Sequence, residues 1–157
     1  MRAEFINPFL HSIVDVLSTM ARMDVTPGAP RLKNGNIAKG DVTGLIGLAG
    51  NRAKGSLAIT FTEPVILEVT ARMLGEEIFH INETVTDCVG EITNIVTGGA
   101  KRSLSENGYD FDLAIPGVVA GKDHIISHGP TGKTILMPFE TASGEFFVEI
   151  CFAEYTQ

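Results

Sequence analysis

In "FINPFLHSIVDVLSTMARMD" (5–24) apolar residues recur at Phe9, Ile13, Val16, Leu17 and Met20, the spacing of an amphipathic helix with one buried side. Asn7 stands in the N-cap place and Pro8 at the first helical position, where a missing N–H is harmless. "TPGAP" ends that period. From Leu32 to Phe61 short apolar runs alternate with turn residues in "LKNGNIAK", "DVTGLIGLAG" and "GSLAITF", which predicts three strands in a meander. Helical spacing returns in "TEPVILEVTARMLG", with Thr62 as cap, Pro64 in the first turn and Gly75 as stop. "INETVTDC" opens a further helix, with Thr84 and Asp87 at capping-box spacing and acids where the helix dipole favours them. It should run to about Ser105.

After "ENGYDFD" the β pattern resumes with "LAIPGVVAG", a short "HIIS", "KTILMPFET" and "EFFVEICFAE". In the last run Phe147, Glu149, Cys151 and Ala153 alternate with Phe146, Val148, Ile150 and Phe152. The order is helix, three strands, two helices, then three or four strands, one helix-plus-meander unit used twice. It predicts an α+β fold, a mostly antiparallel sheet of about six strands packed under three helices. At 157 residues and 44% apolar composition the chain reads as a single domain, 1–157, long enough to bury a core.

Twelve basic against nineteen acidic residues give a net charge of −7, and no Lys/Arg run exceeds the pair Lys101-Arg102. A footprint for a phosphate backbone is therefore missing, and nucleic acid is not the expected partner. No apolar run approaches the 18 or so residues of a membrane span. Cys88 and Cys151 lie in apolar stretches and the chain opens without a signal-peptide pattern, so both are expected as buried thiols of a cytoplasmic protein.

The stretch "TDCVGEITNIVTGG" (86–99) has helical spacing but contains Gly90, Gly98 and Gly99, each costing a helix interior roughly 1 kcal/mol relative to alanine. One side carries Val85, Cys88, Val89, Ile92, Ile95, Val96 and Ala100 and should be core. Asp87, Glu91, Asn94, Gly98 and Lys101, spaced 4, 3, 4 and 3, fall within about 40° of one line on the other side. Any surface helix has a polar face, and that is the ordinary reading of such a stripe. Asparagine, better suited to caps than to helix interiors, and a glycine one turn beyond it favour close approach of another molecule.

Asp87, Glu91, Asn94 and Gly98 reproduce the D/S-x-x-x-E-x-x-N-x-x-x-G helix of the chemotaxis phosphatases, the CheC, CheX and FliY group. The chain resembles the CheX-like members in particular, through its opening "FINPFLHSIVDVLSTM", the meander "VTGLIGLAGNRAKGSLAITF" and the closing "KTILMPFETASGEFFVEICF". In the first helix the equivalent stretch, "DVLS" at 15–18, has Asp and Ser in place of Glu and Asn, so the resemblance implies one site per chain. It further implies hydrolysis of the phosphoaspartate of a CheY-type receiver. Asn94 would orient the attacking water and Glu91 would pair with the receiver's lysine, with Asp87, Gly98 and Lys101 as partner-contact positions. Asp87 could equally stabilise the helix end. Gly98 would give clearance, and Gly90 and Gly99 close packing. Mg²⁺ would be held by the receiver and no cofactor by this chain. The same fold also serves non-catalytic modules of the flagellar switch, the alternative reading. CheX-like proteins form dimers through their sheets, and "EFFVEICFAEY" would be an aggregation-prone edge if unpaired, so a homodimer is expected.

Other motifs carry less. "SHGPTGKT" (127–134) ends like a phosphate loop, but Ser127 replaces its first glycine and "ILMPFE" follows where a helix is required. His124 and His128 of "HIISH" would stand about 13 Å apart in a strand, too far for one metal, and read as exposed loop residues. His11 and His80 stand alone, and neither cysteine has a histidine or cationic helix end beside it to make a nucleophile.

Overall fold

Helix α1, Ala3–Met20, buries Phe5, Phe9, Ile13, Val16 and Leu17, a stripe that begins a turn earlier than the sequence suggests. The structure is a computed structural model describing residues 3–128 and 132–155. Pro8 therefore lies inside the helix and Asn7 is not its cap. An interior proline costs ~3 kcal/mol. The extra turn places Phe5 against Phe152, stacked at 4.9 Å, and edge-on to Tyr109 at 4.7 Å, and burying one such side chain returns about 1.5–3 kcal/mol.

Thr26–Pro27 (β1) and Arg31–Leu32 (β2) are short strands, followed by the hairpin of Val42–Gly50 (β3) and Ala53–Phe61 (β4). Glu63–Leu74 (α2) and Glu83–Glu106 (α3) come next. Phe111–Leu113 (β5) and Gly117–Ala120 (β6) are short again, and Thr134–Thr141 (β7) with Gly144–Glu154 (β8) form a second hairpin. Among the described residues these eight strands make one antiparallel sheet in the order β1-β7-β8-β4-β3-β5, with β2 also on β7 and β6 also on β3. Its middle is the pairing of β4 with β8, from Ala53 opposite Glu154 to Phe61 opposite Phe146.

The expected doubling is visible in this topology. A helix, two short strands and a hairpin occur as α1-β1-β2-β3-β4 and again as α3-β5-β6-β7-β8. Each pair of short strands joins the other unit's hairpin, β1 and β2 on β7, β5 and β6 on β3. Ile46, Leu57, Ile59, Phe61, Val148 and Ile150 face the helices in the main core. On the opposite face Leu45 and Ala58 pack with Ala38 and Ile126 in a small second cluster. The loops that carry Ala38 and Ile126 meet there in a bridge between Ile37 and Ile125.

Several details differ from the sequence-based expectation. "LKNGNIAK" contributes only Leu32 to a strand and Ile37 to the bridge, because its residues fold across the back of the sheet. "LAIPGVVAG" is split between β5 and β6, while "FD" of "ENGYDFD" already belongs to β5. Thr62 holds the N-cap position of α2 without a side-chain cap bond. Its hydroxyl donates to the Glu145 carbonyl at 2.6 Å, and Asp41 Oδ2 accepts the Glu63 N–H at 2.7 Å instead. Gly75 ends α2 as expected, in the left-handed region at φ 70°. β8 is no edge: it is paired on both sides, with β4 and β7.

Candidate functional site

Helix α3 starts from Asn82, whose Oδ1 accepts the Val85 N–H at 3.0 Å. Thr84 and Asp87 do not form the expected capping box. The cap moves two residues upstream, because an asparagine in extended backbone satisfies the orphan donor and Glu83 supplies the first-turn acid. Asp87 consequently stands in the second turn, where the helix-end role is already filled.

The inner side of α3 buries Val85, Cys88, Val89, Ile92, Val96, Ala100 and Leu104 together with Thr93 and Thr97. Ile95, expected in the core, is half-buried at its margin. The two threonines are fully buried because their hydroxyls turn back on the helix, Thr93 donating to the Val89 carbonyl at 2.8 Å and Thr97 to the Thr93 carbonyl at 2.6 Å. The outer side brings the predicted stripe together. Asp87, Glu91 and Asn94 are exposed, and Gly98 and Lys101 half-buried. Among the described residues the side chains of Asp87, Glu91, Asn94 and Lys101 make no hydrogen bond or ion pair. An amide and a carboxylate one turn apart, both unpaired, can offer a donor and two kinds of acceptor to an incoming molecule.

The glycines separate into three cases. A Cβ on Gly98 would meet nothing within 4 Å, so the stripe has a bare, open place beyond Asn94. At Gly99 a Cβ would lie 2.5 Å from Ser12 Oγ of α1, so an added methyl would push that hydroxyl off its bond to the Val96 carbonyl. At Gly90 a Cβ would make only an ordinary contact, 3.5 Å from Val118 Cγ2. Helix-to-sheet closeness comes from the sheet side, where Gly44 of β3 lies directly under Thr93. Ser12 also donates to the Val96 carbonyl at 2.8 Å, tying α1 to α3 two residues past Asn94.

Cys88, beside the stripe but facing inward, has its Sγ 3.7 Å from Met73 Sδ of α2. Burial pushes its thiol above the ordinary range, the neighbouring Thr70 hydroxyl pulls the other way, and the Glu91 charge adds to the rise. Such a thiol is a poor nucleophile at neutral pH, in keeping with its expected inertness. His11 lines an α1–α3 groove of about 380 Å³ with Ser12, Asp15, Gly99 and Arg102. His80 is exposed.

His124 and His128 are not exposed loop residues. His124 is buried, with Nε2 2.6 Å from Thr43 Oγ1 and Nδ1 2.7 Å from the Gly121 carbonyl. His128 bonds to Ser56 Oγ, and its Nε2 lies 3.1 Å from Glu149 Oε1. Polar residues on the back of β3, β4 and β8 draw both rings in. Glu149 was the available signal, a charge alternating into an apolar strand. Gly129, Pro130 and Thr131 of "SHGPTGKT" lie outside the described residues. Among the described residues no three His, Cys, Asp or Glu side chains cluster as a metal site, and no helix is long and apolar enough to cross a membrane.

Residues 42–140 match the family model described as chemotaxis phosphatase CheX. The CheY-P phosphatase CheX of Thermotoga maritima is 25% identical over 148 residues, 94% of each chain. Among solved structures, a CheC-like superfamily protein from Shewanella sp. PV-4 is 56% identical, covers 98% of this chain and 99% of its own, and superposes with a TM-score of 0.91. The CheX of the CheX–CheY–BeF₃–Mg²⁺ complex from Borrelia burgdorferi is 28% identical, covers 98% and 100%, and superposes with a TM-score of 0.82.

Proposed function

We propose that this chain, which belongs to the chemotaxis phosphatase CheX family, dephosphorylates the phosphoaspartate of a CheY-type response regulator and so ends its signal. The observation that carries the site assignment is the pair Glu91 and Asn94, exposed, unpaired within the described residues and one turn apart on α3, with open space over Gly98.

In this reading the receiver lies along the outer side of α3. Glu91 pairs with a lysine of the receiver's active site, which sets the register of the two proteins. The Asn94 carboxamide enters that site, its oxygen accepting from a water and its N–H₂ free to donate, so that the water faces phosphorus opposite the aspartyl oxygen. Attack forms a new P–O bond and breaks the P–O bond to aspartate, releasing inorganic phosphate and the free carboxylate. Alignment is the main protein contribution to such a step, and it asks nothing of a titrating side chain here. The Mg²⁺ brought by the receiver neutralises charge on the phosphoryl oxygens, and this chain contributes no cofactor. Asp87 and Lys101 flank the contact along the same stripe, and Gly98 gives the receiver backbone room. The reaction belongs in the cytoplasm, where receiver proteins work.

A homodimer belongs to the same proposal. With β8 internal, sheet-to-sheet pairing would use the outer strands, such as β6, whose Val119 is 45% exposed.

The test is phosphate release from a Mg²⁺-bound CheY-type receiver charged by a small phosphodonor. Wild type should shorten the phosphorylated lifetime, Asn94→Ala should abolish the effect with binding kept, and Glu91→Ala should weaken binding. A wild type that binds the receiver and leaves its lifetime unchanged would make the protein a recognition module.

A further inference from the structure

Between Glu91 and Asn94, on the opposite side of α3, stands Thr93, and beneath it is a residue without a side chain. Gly44 is the third residue of β3, paired with Ile59 of β4 and Val118 of β6. A Cβ there would overlap Thr93 Oγ1 and crowd Val89 Cγ1 at 3.1 Å and Thr93 Cβ at 3.2 Å. Thr93 has little freedom to yield. It is fully buried, and its hydroxyl is committed to the Val89 carbonyl at 2.8 Å.

The helix is fixed on either side of this seat. Toward its N-terminus Cys88 packs on Met73 of α2. Toward its C-terminus Ser12 donates to the Val96 carbonyl, and Gly99 lets α1 approach. A push at Thr93 therefore bows α3 between two fixed points and does not carry it bodily outward. The bow would fall on the segment whose outer side holds Glu91 and Asn94, changing the angle between a docking carboxylate and a water-orienting amide. A displacement on the order of 1 Å can cost an aligned reaction about a hundredfold.

We propose that Gly44 is a positioning residue for the phosphatase reaction, its missing side chain setting the line of α3 between Glu91 and Asn94. This rests on the reading of those two residues given above. The general requirement is that side chains at a reacting surface be held by the layer beneath them, and here that layer is a strand glycine and a back-bonded threonine.

Wild type, Gly44→Ala, Thr93→Ala and the double variant are compared in receiver dephosphorylation and in amide hydrogen exchange along α3. Gly44→Ala should lower kcat per folded molecule by about tenfold or more, with KM changed less than about threefold, since in-line alignment tolerates less displacement than docking. Exchange should quicken at amides 93–97 ahead of the rest of the helix. Thr93→Ala alone should lower kcat less than Gly44→Ala does, and in the double variant the loss of Oγ1 should restore most of kcat and of the protection. A Gly44→Ala protein with wild-type kcat overturns the proposal, as does a double variant that regains Tm and protection without regaining kcat. Inactivity of wild type overturns the phosphatase reading and this proposal with it. An active wild type with an equally active Gly44→Ala overturns this proposal alone.

Discussion

Lys33 Nζ, just past β2, donates to Glu149 Oε2 in the middle of β8 at 2.8 Å, and the two side chains are 3% and 0% exposed. With His128 on the other carboxylate oxygen, the pair fastens the segment after β2 to the back of the sheet. Removing one partner of a buried pair strands the other charge, which costs roughly 3–5 kcal/mol, whereas replacing both with apolar groups is often close to neutral. Glu149→Leu should accordingly lower the urea midpoint by that equivalent, and Lys33→Met/Glu149→Leu should recover most of it. Equal losses in the single and double variants would mean that the attraction itself, not the stranded charge, dominates.

Adjacent glycines in α3 should respond in opposite directions. At Gly98 a methyl enters open space, so Gly98→Ala should raise unfolding stability by roughly 0.5–1 kcal/mol, the helix-propensity difference. It should also weaken receiver binding, because the clearance is filled. At Gly99 the methyl meets Ser12 Oγ at 2.5 Å, and overpacking of about 1–3 kcal/mol outweighs the propensity gain. Thermal or urea unfolding of the two variants settles the order, and a stabilised Gly98→Ala with undiminished binding would contradict the clearance role.

Asn94→Ala should likewise separate function from stability. The side chain is exposed and makes no bond to a described residue, and alanine is the better helix former by up to about 0.7 kcal/mol. The variant should be as stable as wild type or slightly more so, while phosphate release falls by about a hundredfold or more if water alignment is its task. A matching loss of Tm and activity would instead indicate a folding role.

How much of this was legible in the sequence depended on whether the deciding interaction was local. The outward stripe of α3 could be read from spacing, because a 3.6-residue period sustained over 24 residues leaves little freedom in which side faces water. Its cap was misplaced because Thr84 and Asp87 have the right spacing and only backbone geometry shows that Asn82 is the residue in extended conformation. The order of strands is non-local. Nothing within "EFFVEICFAEY" tells a central strand from an edge, although its near-continuous burial is what two-sided pairing under cover requires. Gly90 and Gly99 read as close-packing positions of the helix, yet the glycine that admits Thr93 is Gly44 on the strand, since a sequence records a small residue but not which partner's side chain it admits. The histidines 124 and 128 looked like loop residues because the groups that draw them inward, Thr43, Ser56 and Glu149, come from three different strands.

The buried thiol of Cys88 gives α3 a pH dependence whose sign follows from its raised pKa. Below about pH 8.5, the ordinary thiol value, both folded and unfolded chains keep the proton and stability is unaffected. Above it the unfolded chain loses the proton while the folded one retains it, so the unfolded state binds fewer protons and stability falls with rising pH until the folded thiol itself titrates. Cys88→Ala loses contact with Met73, where Sγ lies 3.7 Å from Sδ, and should be less stable overall. Its stability between about pH 8.5 and 10 should nevertheless decline less steeply than that of wild type. Urea midpoints of the two proteins across that range make the comparison, and because lysines and tyrosines are common to both, the difference in slope isolates the thiol. Parallel slopes would mean that the folded thiol loses its proton together with the unfolded one, and would contradict the effect ascribed to burial.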